Sequence, residues 1–303
     1  MPGRDAHVRQ VDRRRAHDEG QLAAAQDLAP VRRFWLSRGH IGPGPGPVAQ
    51  ANSAVRPDPK HLPQNGTPWP QQVLDYPSVW QFTEGAGVTV AVIDSGVDAN
   101  SKFGDRVSVG NTFANASSGP AWGDCAGHGT EVAGIIAAAP GSGNAFEGVA
   151  PRANILSIKV SNSEDQGISS TTLASAIVEA VHAGAKVINV SIDTPGDDPA
   201  LRNAVYYAQA SNVVMVAAVG NDVQKTNSDG TTTTQTGPFY PADYQGVLSV
   251  GAVDDGGNLA PFSDIETNVS VTAPGVNVTS TFPGTHGNAY AADDGTSFAA
   301  PFV

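Results

Sequence analysis

Five short apolar runs punctuate the chain: Val88 to Ile93, Ile155 to Val160, Lys186 to Ile192, Val213 to Val219 and Val247 to Val253. Each is rich in β-branched residues and lacks strict polar alternation, the pattern of a strand buried on both faces. Amphipathic stretches lie between several of them. Leu173, Ala176, Ile177, Ala180 and Val181 recur at three-four spacing, and Gly184 comes after them as a stop signal. Leu201, Ala204, Val205 and Ala208 form a second stripe, behind an Asp198 cap and a first-turn Pro199. Thr130 to Ala139 reads as a third, strongly apolar helix. Strands alternating with helices predict an α/β fold, a mainly parallel sheet with helices on both faces. In such sheets the working residues sit at the carboxyl ends of the strands.

This pattern starts near Tyr76, and the composition before it is different. Residues 1–40 carry eight Arg and five acids, with no long apolar stretch. They read as a basic, disordered N-terminal segment. Residues 41–75 read as an extended Pro/Gly-rich linker or extension, beginning with Gly42-Pro43-Gly44-Pro45-Gly46-Pro47. The folded domain is expected over 76–303. The formal charge of −12 hides this division, because residues 1–40 alone are net positive. The acidic remainder argues against nucleic acid as a partner. A single cysteine excludes an internal disulfide. No secretory apolar region and no run of the ~20 apolar residues of a membrane span is readable.

The residues just beyond the strands carry the chemistry. The first run ends in Asp94-Ser95-Gly96 and the fourth in Gly220-Asn221. The Thr130 helix is preceded by His128-Gly129, and Gly295-Thr296-Ser297-Phe298-Ala299-Ala300-Pro301 stands near the C-terminus. Each piece alone has a plain structural reading as a turn or a helix cap. Together they place Asp, His, Asn and Ser at element ends. A serine hydroxyl needs a base to take its proton, a histidine base needs a carboxylate to fix its tautomer, and the oxyanion needs N–H donors. The chain order Asp, His, Ser is that of subtilisin. The Ser segment lacks the last Gly of a Gly-x-Ser-x-Gly elbow, which lowers a lipase reading. The first strand does not lead into Gly-x-Gly-x-x-Gly, which lowers a dinucleotide reading.

From about Trp80 to Val303 the chain resembles the subtilisin-like serine proteases (peptidase S8). Val90 to Val97 resembles the family's Asp motif, Gly127 to Gly134 its His motif, Val216 to Asn221 its oxyanion motif and Gly295 to Pro301 its Ser motif. The resemblance implies a triad of Asp94, His128 and Ser297. It implies Asn221 and the Ser297 N–H as oxyanion donors, and a serine endopeptidase working without a cofactor or catalytic metal. Ser191, Ile192, Asp193, Ala217, Ala218 and Gly220 fall on the family's substrate-binding segments. Asp193 stands where many members have glycine, and as an acid it raises a basic P1 preference beside the plainer reading of a solvated loop charge. Trp80 to Val88, Asp124 to Thr130 and Gly295 to Val303 are similar to mycosins, the membrane-anchored proteases of actinobacterial type VII secretion systems. That likeness implies protein or peptide substrates, a secretion membrane complex as partner, and a secreted or cell-envelope location.

Departures from the family pattern set further expectations. Mycosins are expected to pair the equivalent of Cys125 in a disulfide; with no second cysteine here, a buried thiol is expected. His182 is expected at a helix C-terminus and His286 in a solvated Gly-rich loop. Asp197-Asp198, Asp254-Asp255 and Asp293-Asp294 suggest Ca²⁺ only weakly, because no EF-hand spacing appears. The family's long core helix is represented only by residues 298–303, so the domain reads as incomplete at its C-terminus, with little burial for that helix. The alternative to a peptidase is therefore a truncated, non-catalytic scaffold or binding fragment.

Overall fold

The computed structural model describes residues 66–98, 102–114, 123–141, 146–163, 167–226, 231–283 and 289–303. The expectations for residues 1–40, most of the 41–75 segment and His286 lie outside these described residues. The helices are α1 Trp69–Leu74, α2 His128–Ala137, α3 Ser170–His182, α4 Pro199–Ala210 and α5 Thr296–Ala299. The strands are β1 Thr89–Asp94, β2 Val107–Thr112, β3 Asn154–Lys159, β4 Val187–Val190, β5 Thr194–Pro195, β6 Val214–Ala218, β7 Val223–Thr226, β8 Thr232–Gln235, β9 Phe239–Tyr240, β10 Leu248–Val253, β11 Val271–Pro274, β12 Val278–Phe282 and β13 Ala289–Asp293.

Among the described residues one seven-stranded sheet dominates, in the order β11-β10-β6-β4-β1-β3-β2. Every neighbouring pair in it is parallel. The strands alternate their side chains between two covered faces. Ala91 and Ile93 pack with Ile188, Val190, Leu173, Ile177 and Leu201 under α3 and α4. Val90 and Val92 turn the other way, onto Val132, Ala133 and Ile136 of α2. Full burial of a side chain such as Ile93 or Ile188 contributes roughly 1.5–3 kcal/mol. The five strands expected from the apolar runs are β1, β3, β4, β6 and β10. Edge strand β2 escaped because it is only partly buried and has no apolar run. Strand β11, Val-Thr-Ala-Pro, escaped because it contains no apolar run.

The helix signals worked locally as expected. The Asp198 carboxylate accepts from Ala200 N and Leu201 N at 2.8 and 3.2 Å, with Pro199 in the first turn of α4. Gly184, at φ 85°, stands just past the end of α3. Helix α1 lies at the end of the segment read as extended. It tolerates Pro70 in its first turn, and the Trp69 indole donates to Val276 O at 3.0 Å.

Two expectations are corrected. Helix α2 runs from His128 to Ala137 rather than from Thr130 to Ala139, because Ala138 already has extended backbone. The short segment after Ser297 is well buried: Phe298, Ala299, Ala300 and Phe302 are at most 6% exposed. They pack on Val216, Ala218, Val250 and Tyr76, so neighbouring strands supply the burial that the helix's own length does not.

Strand β12 packs on α2 through hydroxyls. Ser280 Oγ donates to Glu131 O at 2.5 Å and Thr281 Oγ1 to Thr130 O at 2.9 Å. The contact closes over Gly134, where a Cβ would lie inside contact distance of both hydroxyls. Gly134→Ala therefore tests packing against propensity. Alanine favours the helix by about 1 kcal/mol, but overpacking costs about 1–3 kcal/mol. The expected outcome is a lower urea midpoint at unchanged slope.

Candidate active site

Strand β1 delivers Asp94 at its carboxyl end, 1% exposed. Helix α2 begins at His128 directly against it, and His128 Nδ1 lies 2.8 Å from Asp94 Oδ1. The approach depends on Gly129: a Cβ there would fall on the Gly96 carbonyl and beside the Asp94 side chain. An ionised carboxylate only accepts, so this contact favours the proton on Nδ1 and puts the basic lone pair on Nε2. The same Asp94 oxygen accepts from Ser95 N at 2.7 Å. On β13, burial pushes the Asp293 carboxyl up, partly offset by a hydrogen bond with Glu131 and by the nearby His128.

Ser297 lies in the first turn of α5 and is tied to the end of β4 by two reciprocal bonds. Ser297 Oγ donates to Ser191 O at 3.1 Å, and Ser191 Oγ donates to Ser297 O at 2.8 Å. Buried Asn189 supports the second through Nδ2, 2.9 Å from Ser191 Oγ. The imidazole of His128 packs on the Phe298 ring with centroids 5.2 Å apart, which brings α2 and α5 together beside Ser297. Asn221, just beyond β6, accepts from Thr296 N and Thr296 Oγ1 at 3.1 and 3.0 Å. Both bonds engage Oδ1, so the amide is oriented with its Nδ2 donor directed elsewhere. Asp94, His128, Asn221 and Ser297 thus come from four elements to one edge of the sheet.

The expected substrate-binding residues divide. Ser191 is 5% exposed and committed to Ser297, while Ile192 packs half-buried against the core. Gly220 has φ 98° and accepts from Asp264 N at 3.1 Å. Ala217 and Ala218, at 0% and 4% exposure, turn their methyls into the core clusters, so any contact they make with a peptide would come from their backbone. Asp193 stands in an acidic corner rather than in open solvent. Burial, then the Asp264 charge, push its carboxyl up to about 6. Asp222 is also held at about 6, by burial, by a hydrogen bond shared with Asp264, and by the charges of Asp264 and Glu266. Asp264 is wholly buried and accepts from Gly237 N and Thr267 N, each at 2.6 Å.

The remaining candidates have local accounts. Cys125 is exposed rather than buried, since it sits on the loop before α2. His182 ends α3 and meets Tyr207 edge-on with centroids 5.8 Å apart. Asp197 pairs with Arg202, Asp254 accepts from Gly256 N and Asn258 N, and Asp294 accepts from Asn277 N. Five residues at the site were given no role of their own by the linear chain: Ser95, Asp124, Thr130, Asn189 and Thr296. Their common trait is a polar side chain at or beside a motif residue and buried to 4% exposure or less.

Known proteins share this fold. The model of the subtilase family, peptidase S8, matches residues 85–303. The thermophilic serine proteinase of Bacillus sp. (strain AK1) is 40% identical over 226 residues, 74% of this chain and 52% of that protein. The chain thus spans about half of that relative's length. Subtilisin DY of Bacillus licheniformis is 40% identical over 223 residues, 74% of this chain and 76% of that one. The solved MycP3 protease from the type VII (ESX-3) secretion system superposes with a TM-score of 0.64 at 30% identity, covering 86% of this chain and 83% of its own.

The acidic corner makes a stability prediction. Asp193 and Asp222 hold protons more tightly folded than unfolded. Their contribution is therefore fullest at low pH and is lost as pH rises from about 4 to about 6. Asp222→Asn keeps a donor for Asp264 and removes a charge. At pH 8 it should raise the thermal midpoint by about 2–4 °C, a value reduced for solvent screening at this part-exposed group. In calorimetry that gap should close by about pH 3.5, below the ordinary carboxylate range.

Proposed function

The chain belongs to the subtilase family, and from that premise we propose that it is a serine endopeptidase acting through Ser297, His128 and Asp94. The observation that carries this reading is the 2.8 Å contact of His128 Nδ1 with Asp94, beside a serine held at the start of α5. In the resting arrangement the Ser297 hydroxyl donates to the Ser191 carbonyl. Catalysis begins with a turn of that hydroxyl toward His128 Nε2; catalytic hydrogen bonds often tighten only with substrate present.

The Ser297 oxygen then attacks the scissile carbonyl carbon as its proton passes to Nε2. The C–O bond forms and the carbonyl electrons move to oxygen. The Asn221 amide and the Ser297 N–H stabilise that oxyanion. Collapse breaks the C–N bond, and the amine leaves with the proton from His128. Water hydrolyses the acyl-enzyme by the same steps in reverse roles. Asp94 holds the tautomer and stabilises the imidazolium. Thr296 supports the oxyanion role because it orients the Asn221 amide. Ser191, Ile192, Asp193, Gly220 and the backbone of Ala217 and Ala218 are proposed to border the bound peptide.

The likeness to MycP3 supports a role beside a type VII secretion system, at the cell envelope. No helix of the described residues is long and apolar enough to cross a membrane.

A fluorophosphonate probe should label the folded chain and leave Ser297→Ala unlabelled. Absence of Ser297-dependent labelling would favour the scaffold reading. Asn221→Ala should lower kcat by about 10²–10³-fold with little change in KM, measured on a quenched fluorescent peptide.

A further inference from the structure

Asp124 is a charged side chain where charge is costly. It is 4% exposed and lies four positions before His128. Burial pushes its carboxyl up, opposed by hydrogen bonds from Thr130, Gly127 and Ser95. Both oxygens are fully engaged. Oδ1 accepts from Ser95 Oγ and Gly127 N, each at 2.8 Å. Oδ2 accepts from Thr130 N at 2.8 Å and Thr130 Oγ1 at 2.6 Å.

These bonds close a ring around the Asp94–His128 contact. Ser95 is the next residue after Asp94, and its Oγ also accepts from Gly129 N at 3.0 Å. Gly129 and Thr130 come directly after His128, so Ser95 and Asp124 together cap the first turn of α2. The residue at the helix boundary, Gly127, has no side chain for this task. Asp124's own backbone is fixed too: its N–H donates to Asp98 Oδ1 at 3.0 Å, and Lys159 Nζ donates to Gly123 O at 2.5 Å. Four donors converge from three directions, and only a carboxylate presents four acceptor positions with no hydrogen of its own. The positive end of α2 further favours a negative group here.

We propose that Asp124 is a positioning residue for the Asp94–His128 pair, acting through Ser95 and the first turn of α2 without touching substrate. The inference rests on the peptidase reading above. Its physical content is that catalytic groups displaced by about 1 Å can lose on the order of 10²-fold in rate. Asparagine at position 124 would turn an N–H toward either Gly127 N–H or Thr130 N–H, opening the ring on one side while keeping the volume.

The test uses the full chain, with kinetics per site titrated by fluorophosphonate and the His128 ring followed by NMR. Charged groups near that ring are Asp94 on β1 and Asp293 on β13, and Asp293 in turn bonds Glu131 of the same helix. Asp124→Asn should lower kcat by about 10²-fold and change KM by less than about threefold. It should also lower the His128 ring pKa, because a looser Asp94 contact stabilises the imidazolium less. Ser95→Ala should move both in the same direction, with a kcat loss of about 10-fold. Unchanged kcat per site together with an unchanged ring titration in both variants overturns the proposal. So does a loss of titrable sites alone, which is a folding effect. If Asp124→Asn does not fold, Ser95→Ala decides. If the parent cleaves no peptide, the peptidase reading fails, and the ring titration still decides the positioning role.

Discussion

A parallel sheet covered on both faces leaves its polar business to its ends. The strands β6, β4, β1 and β3 present mostly aliphatic side chains to the layers above and below, with Asn189, Ser157 and Lys159 the buried polar exceptions besides Asp94. Backbone groups within the sheet are paired, and the helices shield it from water. Side chains that must meet a peptide can emerge only where the strands stop. Because all seven strands run the same way, those stops share one edge. Asp94, Ser191 and Asn221 are there because β1, β4 and β6 end there. Helices α2 and α5 then only have to begin at that edge to add His128 and Ser297.

Bringing charge to such an edge requires neutralising partners, and the molecule uses two different solutions. Around Asp94 and Asp124 every carboxylate oxygen but one accepts hydrogen bonds, from hydroxyls, helix-start N–H groups and the imidazole. Those bonds offset part of the cost of burying these acids. Around Asp193, Asp222 and Asp264 the carboxyls face each other, and two of them are pushed up to about 6. Within that corner, backbone N–H groups from Gly237 and Thr267 hold the buried Asp264. Its bonds fasten the 262–264 segment to Gly220 and Asp222, which brackets Asn221.

Residues announced themselves in the linear chain when their role depended on local order. Asp94, His128, Asn221 and Ser297 each stand at the boundary of an apolar run, and five strands and three helices were legible from period and caps alone. Roles that depend on distant partners were silent. Ser95 and Asp124 look like ordinary turn residues until Gly129 and Thr130 are brought to them. The burial of the Ala217 and Ala218 methyls on opposite faces of β6 was likewise visible only once the sheet was assembled. Strand β2 and helix α1 were hidden for opposite reasons, the first by its exposed edge and the second by its prolines. The burial of Phe298 and Phe302 could not be read from a short terminal segment, because the surfaces that cover it come from β6, β10 and Tyr76.

The paired bonds between Ser191 and Ser297 join residues 106 positions apart. The hydroxyl acquires its surroundings only when α5 has docked on the finished sheet. A nascent or partly unfolded chain therefore carries the serine as an ordinary alcohol. Reactivity is a property of the completed topology, gained in the same event that withdraws the chain's own backbone into ladders and helices. Under the proposed peptidase activity, the fold in this way separates in time the moment when the polypeptide is cuttable from the moment when it can cut.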